Sequence, residues 1–308
     1  MFSPKNVIVT GGCGFIGSNF LNYMVPKYTD VIFHNIDKMD YCASHDNITC
    51  NTHHNYRFYK CDINDKSFVD YILLTHNIDT IVHFAAQSHV DNSFDNSLQY
   101  TTDNILGTHT LLDCCKRYGC IKRFIHVSTD EVYGEVDLKH NGCMEQSILN
   151  PTNPYAATKA AAEMLVNSYK HSYNMPIIIT RGNNVYGPNQ YPEKLIPKFI
   201  KLINERKKMT IHGGGATRRN FIHVYDVATA FETILQYGLI GHIYNIGTDN
   251  EYTVLDIAKL ILAKYKPGER LEHWIEYVND RPFNDFRYAI NSDKLKELGW
   301  KEQMPFEL

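Results

Sequence analysis

No CxxC pair occurs among the eight cysteines of this 308-residue chain, and they are too sparse for a disulfide scaffold, so a reducing compartment is expected. Charge of one sign is also missing. With 31 basic against 34 acidic residues and a net charge of -3, nothing pulls the whole molecule toward nucleic acid or an anionic membrane. Any polyanion must be held locally. No run approaches the roughly 18 consecutive apolar residues of a membrane span. The start, Met1 to Lys5, leads straight into the short apolar run Val7 to Val9, without the charged head and apolar length of a signal peptide. A soluble, cytoplasmic protein is the expectation. Repeats, low-complexity tracts and heptads are lacking, and the basic cluster Arg206, Lys207, Lys208 reads as a solvated helix end. His53, His54 and the scattered cysteines have no metal-ligand spacing, so no metal is expected.

What remains is an ordinary globular composition, 44% hydrophobic and 21% charged, long enough for two domains or one large α/β unit with an appended lobe. Short runs rich in β-branched and aromatic residues recur at Asn6–Thr10, Val31–Ile36, Tyr56–Tyr59, Thr80–Phe84, Arg123–Val127 and Pro176–Thr180. Helix-length segments lie between them, among them Phe15–Met24, Lys66–His76, Ser97–Tyr118 and Tyr155–Tyr173. Strand and helix in alternation predict an α/β fold, a Rossmann-type doubly wound parallel sheet. Beyond about residue 182 the pattern is less regular, with Pro188, Pro192, Pro197 and the run Gly213 to Gly215. The expected division is residues 1–181 for the first domain and 182–308 for a smaller C-terminal substrate lobe. A strand near 242–247 is expected to return to the main sheet, making the boundary discontinuous.

Directly after the first strand comes Gly11, Gly12, Cys13, Gly14, Phe15, Ile16, Gly17, opening an apolar helix, and Asp37 ends the second strand 20 residues later. Glycines let the backbone turn tightly against a pyrophosphate, and the helix N-terminus supplies free N–H groups. Asp37 suits the ribose hydroxyls and would repel a 2′-phosphate, so NAD is favoured over NADP. Asp62 and Ile63, after the third strand, are placed to border the adenine.

The fifth strand ends in Ser128, Thr129, Asp130, Glu131, facing the crevice where ligands of parallel sheets bind. Two adjacent carboxylates beside a pyrophosphate are costly to desolvate and ask for a role. Farther on, Tyr155 and Lys159 stand one helical turn apart. A phenol serving as base near neutrality needs its pKa lowered by about 3 units, roughly 4 kcal/mol. Lys159 and a positive nicotinamide ring could supply this.

The segments TGGCGFIGS (10–18), HFAAQSHVDNS (83–93), VSTDEVYGE (127–135), NPYAATKAAAE (153–163) and DRPFND (280–285) resemble the extended short-chain dehydrogenase/reductase superfamily, and within it the nucleotide-sugar 4,6-dehydratases. DKMDYC (37–42), RGNNVYGPNQ (181–190) and DRPFND are more similar to the UDP-glucose enzymes of plant rhamnose synthases than to bacterial dTDP-glucose enzymes, which usually carry His where Asn284 stands. The resemblance implies oxidation at C4, loss of water across C5 and C6, and hydride return to C6, with Tyr155 as base at O4, Lys159 tuning it, Thr129 near O4, Glu131 as base at C5 and Asp130 as acid at O6. It implies an NAD site of Gly11, Gly14, Phe15, Ile16, Gly17, Asp37, Lys38, Asp62, Ile63, Ala85 and Ala86 with Tyr155 and Lys159. It places Ser88, Thr129, Asn184, Lys194, Arg219, Asn245 and Arg281 around UDP-glucose or dTDP-glucose. A homodimer through the helices at 97–118 and 155–173 follows by the same resemblance, as does a downstream epimerase/reductase as pathway partner. A UDP-N-acetylglucosamine dehydratase, a 4-epimerase and a non-catalytic NAD-binding regulator are the alternatives; epimerases lack the acid/base carboxylate pair, and silent relatives lose Tyr or Lys.

Overall fold

The computed structural model describes residues 1–279 and 283–308. The first half alternates strand and helix: β1 (Asn6–Thr10), α1 (Phe15–Lys27), β2 (Ile32–Asp37), β3 (Tyr56–Lys60), α2 (Lys66–Thr75), β4 (Thr80–His83), α3 (Val90–Asp95), α4 (Ser97–Tyr100), α5 (Gly107–Tyr118), β5 (Arg123–Thr129), α6 (Pro154–Tyr173) and β6 (Ile177–Gly182). Then follow β7 (Asn184–Tyr186), α7 (Leu195–Asn204), β8 (Met209–His212), β9 (Arg218–His223), α8 (Val224–Tyr237), β10 (Ile243–Ile246), β11 (Glu251–Thr253), α9 (Val254–Tyr265), α10 (Leu271–Trp274), β12 (Ile275–Val278) and α11 (Asp293–Lys296).

The central sheet runs β10-β6-β5-β4-β1-β2-β3, with every neighbouring pair parallel. Parallel strands covered on both faces need apolar side chains on both, and Val7, Ile8, Val9, Ile81, Val82, Phe124 and Ile125 are all fully buried. Residues of α1 and α8 close one face, and those of α2, α5 and α6 the other. A separate apolar cluster joins α7, α9, β8 and β12. The small sheets β11-β9-β7 and β12-β8 lie in this later part of the chain. Strand β10, reached only after β7, β8 and β9, pairs Ile243 with Ile179 and Asn245 with Arg181 at the edge of the central sheet.

The expected helix over 97–118 runs without a break but changes its winding. Thr101–Leu106 form a π-helical stretch between α4 and α5. The hydroxyls of Thr101 and Thr102 donate back to the carbonyls of Ser97 and Leu98, a pattern that bends helices. Strand β5 also extends past Val127 to Thr129, so Ser128 and Thr129 still belong to the ladder.

Asn55, 1% exposed, shares its two amide hydrogens among the carbonyls of Val25, Tyr28 and Val31, each at 3.0 Å. It thereby ties the end of α1 to the approach of β2. Asn55→Ala strands buried acceptors and should cost about 1–3 kcal/mol, read as a lowered urea midpoint; an unchanged midpoint would show that the tie contributes nothing.

Candidate active site

The strand order reverses between β1 and β4, and the crevice above their C-terminal ends is where such sheets bind ligands. There the glycine turn lies against the chain leaving β4. Gly11 has φ +69°, and a Cβ on it would meet the Ala85 backbone at 2.8 Å. A Cβ on Gly17 would meet the Gly11 carbonyl oxygen at 2.4 Å, so the loop can sit this tightly only without side chains. Gly14 caps α1 with no side-chain hydrogen bond, leaving the first N–H groups of the helix free of a side-chain acceptor. Asp37 accepts from the backbone N–H groups of Cys13 (2.9 Å) and Met39 (2.8 Å). Burial raises its carboxyl, and those two N–H groups oppose the rise. Lys38 pairs with Asp103 at 2.8 Å and Asp40 at 3.1 Å.

One cavity is lined by every residue the sequence points to for the cofactor: Gly11, Gly14, Phe15, Ile16, Gly17, Asp37, Lys38, Asp62, Ile63, Ala85, Ala86, Tyr155 and Lys159. An uncapped helix terminus fits a pyrophosphate and a buried carboxylate fits ribose hydroxyls, so this donor set fits a dinucleotide.

The adjoining cavity is lined by Ser88, Thr129, Asp130, Glu131, Tyr155, Asn184 and Lys194. A third, which shares Glu131, Asn184 and Lys194, adds Arg219, Asn284 and Asp285. Lys194 donates to the Ser88 carbonyl at 2.7 Å. Arg219 donates to the Asp285 carbonyl (3.0 Å) and lies over the Tyr288 ring at 4.5 Å, which orients its guanidinium along the cavity wall.

The α6 helix begins with Asn153 as N-cap and Pro154 in its first turn, a start the sequence encodes directly. It carries Tyr155 and Lys159, both buried. Burial pulls the Lys159 ammonium down to about 8, with Glu163 one turn on opposing, and its Nζ donates to the Val127 carbonyl at 2.6 Å. The Tyr155 phenol is pushed well above its ordinary value, first by burial and then by the charge of Glu131, while Thr129 hydrogen-bonds it and opposes the rise.

The carboxylate pair is asymmetric. Asp130, 3% exposed, is pushed up to about 7 by burial and then by Glu131. Glu131 is also raised by burial, against the pull of Asn153, Arg219 and Lys194. Two amides missed by the sequence reading hold them: Asn183 donates to Asp130 Oδ2 at 2.7 Å, and Asn153 to Glu131 Oε2 at 2.9 Å. Asn153 was findable as a cap preceding Pro-Tyr; nothing in the sequence separates Asn183 from its neighbour Asn184.

One expectation for the substrate does not carry through. Asn245 is fully buried and lines none of these cavities. Its amide donates to the Cys143 and Asn291 carbonyls and its oxygen accepts from Tyr133, so every strong polar contact goes to holding β10. Being in the returning strand, it pairs with the sheet instead of facing a ligand. Arg281 lies outside the described residues.

Comparison with known proteins agrees with this geometry. The chain is 52% identical over 308 residues to the Arabidopsis thaliana protein named trifunctional UDP-glucose 4,6-dehydratase/UDP-4-keto-6-deoxy-D-glucose 3,5-epimerase/UDP-4-keto-L-rhamnose-reductase RHM2, a match covering 99% of this chain and 46% of that protein. It thus spans about half the length of that relative. It is 46% identical to Homo sapiens dTDP-D-glucose 4,6-dehydratase, covering 98% of this chain and 87% of the human one. The crystal structure of DesIV, a dTDP-glucose 4,6-dehydratase of Streptomyces venezuelae with NAD bound, superposes with a TM-score of 0.92 at 36% identity, covering 98% of this chain and 93% of that one. Residues 8–308 match the family model described as GDP-mannose 4,6 dehydratase, and the chain belongs to that family.

Proposed function

We propose that this protein is an NAD-dependent nucleotide-sugar 4,6-dehydratase that converts UDP-glucose, or dTDP-glucose, to the 4-keto-6-deoxy sugar. The observation that carries the reading is the Asp130–Glu131 pair at the end of β5, beside Tyr155 in one cavity; burial raises both carboxyls, Asp130 to about 7. Bound NAD supplies the hydride acceptor for C4 and returns the hydride to C6. The positive charge of Lys159 and the cofactor ring has to overcome the burial and the Glu131 charge that hold the Tyr155 phenol up; the phenolate then takes the O4 proton, and Thr129 orients that oxygen. The ketone so formed acidifies C5. Glu131 removes the C5 proton as Asp130 donates its own to the O6 hydroxyl, which leaves as water, and Glu131 gives its proton back to C5 when hydride reaches C6. The balance is one water lost and no net oxidation.

Lys194 and Arg219 are cations suited to the diphosphate, with Ser88 and Asn184 beside the sugar. UDP is favoured over dTDP by the likeness to the plant enzyme, whose name also supports an epimerase/reductase activity as the step that follows, in a rhamnose-type route. A 4-epimerase is disfavoured because rotating a keto sugar needs no acid/base carboxylate pair. A homodimer through α5 and α6 is supported by Leu106, Met164 and Tyr173, which are 52%, 54% and 52% exposed on or beside these helices. A cytoplasmic location is supported by the balanced charge, and no helix among the described residues is long and apolar enough to cross a membrane.

Incubated with UDP-glucose or dTDP-glucose and no reductant, the protein should yield a product lighter by one water in mass spectrometry; intact substrate with both would sink the reading. Asp130→Asn with Glu131→Gln should abolish water loss while NAD stays bound. Tyr155→Phe should slow C4 oxidation by about 10²–10⁴-fold in single-turnover measurements, and near-normal turnover would mean that another base serves O4. The sign of the pH dependence follows from two groups that must be protonated: Asp130 loses its proton through about 7 and Lys159 through about 8. The water-loss step, read separately from C4 oxidation, should therefore fall on the alkaline side, and water loss still rising at about pH 9 would exclude Asp130 as the acid.

A further inference from the structure

The side chain of Asn153 works at both ends. Its Oδ1 accepts the Ala156 backbone N–H at 2.8 Å, capping α6, and its Nδ2 donates to Glu131 Oε2 at 2.9 Å. The backbone N–H can only donate, so the amide orientation is fixed: oxygen toward the helix, nitrogen toward the carboxylate. Asn153 is 7% exposed, leaving little water to compete for either bond. The helix it caps carries Tyr155 two residues on and Lys159 one turn further. Glu131 belongs to a different element, the turn after β5.

We propose that Asn153 is a positioning residue for the dehydration: one planar amide fixes the distance between the C5 base Glu131 and the helix bearing Tyr155, and donates to the ionised form of Glu131. The inference rests on the dehydratase reading. Its chemical content is that an N–H donor bonds a carboxylate more strongly than a neutral carboxylic acid, so the amide favours the deprotonated Glu131 against the effect of burial. The other charged and titratable groups facing Glu131 are Asp130 beside it, Tyr155 on α6, Arg219 on β9, Lys194 before α7, and Asp285 and Tyr288 after β12. Of these, Arg219 and Lys194 also favour the anion, but each is occupied elsewhere: Arg219 with Asp285 and Lys194 with Ser88. Asn153 donates to the Glu131 carboxylate directly.

Two variants separate clamping from capping, because Ser and Asp cap helices about as well as Asn. Ser is one atom too short to cap and reach Glu131 together. In the NAD-loaded enzyme, Asn153→Ser should keep the thermal midpoint and NAD content, still oxidise C4, and lose water roughly ten- to hundred-fold more slowly, accumulating the 4-keto sugar with its water retained. Its acid limb should move up in pH, because Glu131 loses a donor that favours its charge. Asn153→Asp sets a carboxylate against Glu131; it should be slower still near neutrality, with its acid limb displaced further up in pH. A wild-type pH profile and an unchanged ratio of oxidation to water loss in both variants would overturn the proposal, as would a parallel loss of midpoint, NAD and both steps. A direct readout is the Glu131 carboxyl followed by carbon NMR titration, which should shift upward in Asn153→Ser. If the wild type releases no water from any nucleotide sugar, the dehydratase reading fails, and that titration alone decides the clamp: an upward shift supports it and no shift overturns it.

Discussion

Two neighbouring carboxyl groups cannot both shed their protons in a place with little water, and the end of β5 confronts Asp130 and Glu131 with that constraint. Desolvation raises both, and the charge of one raises the other further. The surroundings break the tie. Asn153, Arg219 and Lys194 favour the Glu131 anion; Asn183 and Arg219 pull Asp130 down as well, but its deeper burial and the charge of Glu131 outweigh them and hold its carboxyl up at about 7. Opposite proton states in adjacent residues allow one to remove a proton as the other gives one. The rest of the site is arranged around that pair, with Tyr155 on one side and the cation-bearing wall on the other.

The fold supplies this arrangement through strand ends. Because β5 continues to Thr129 in register with β6, the pair begins where the ladder stops, and a turn there faces the crevice at the reversal of strand order. The glycine turn after β1 brings the cofactor cavity to the same edge. Helix α6 then crosses beneath, and the bond from Lys159 to the Val127 carbonyl ties it to the strand that carries the carboxylates. A buried pair of Glu163 and Arg181 at 2.6 Å fixes the same helix to β6.

Much of this was legible in the sequence. Alternating apolar runs located the strands of the parallel sheet to within a residue or two, since burial on both faces leaves little freedom in composition. The glycine turn, Asp37 and the YxxxK spacing were readable because each depends on local geometry. The pairings that finish the site were not. Asn183 and Asn153 reach across 53 and 22 residues to their carboxylates, and spacing along the chain carries no trace of such contacts. Asn245 was placed at the substrate by resemblance alone, whereas here its amide satisfies the Cys143 and Asn291 carbonyls at the edge of a sheet. The π-helical stretch at 101–106 depends on threonine hydroxyls turning back on their own helix, which periodicity does not register.

The late arrival of β10 has a consequence for how the chain assembles. Its partner β6 is complete at Gly182, yet the strand that covers its outer edge begins at Ile243, after β7, β8 and β9 have been made. During synthesis the row of N–H and C=O groups along β6 therefore stands open while some sixty residues emerge. For that interval the growing chain exposes an apolar parallel strand to any neighbour able to pair with it. The small sheets have to form without blocking the gap that β10 later fills, so the order of synthesis, and not the final packing alone, sets where this protein is vulnerable to misassembly.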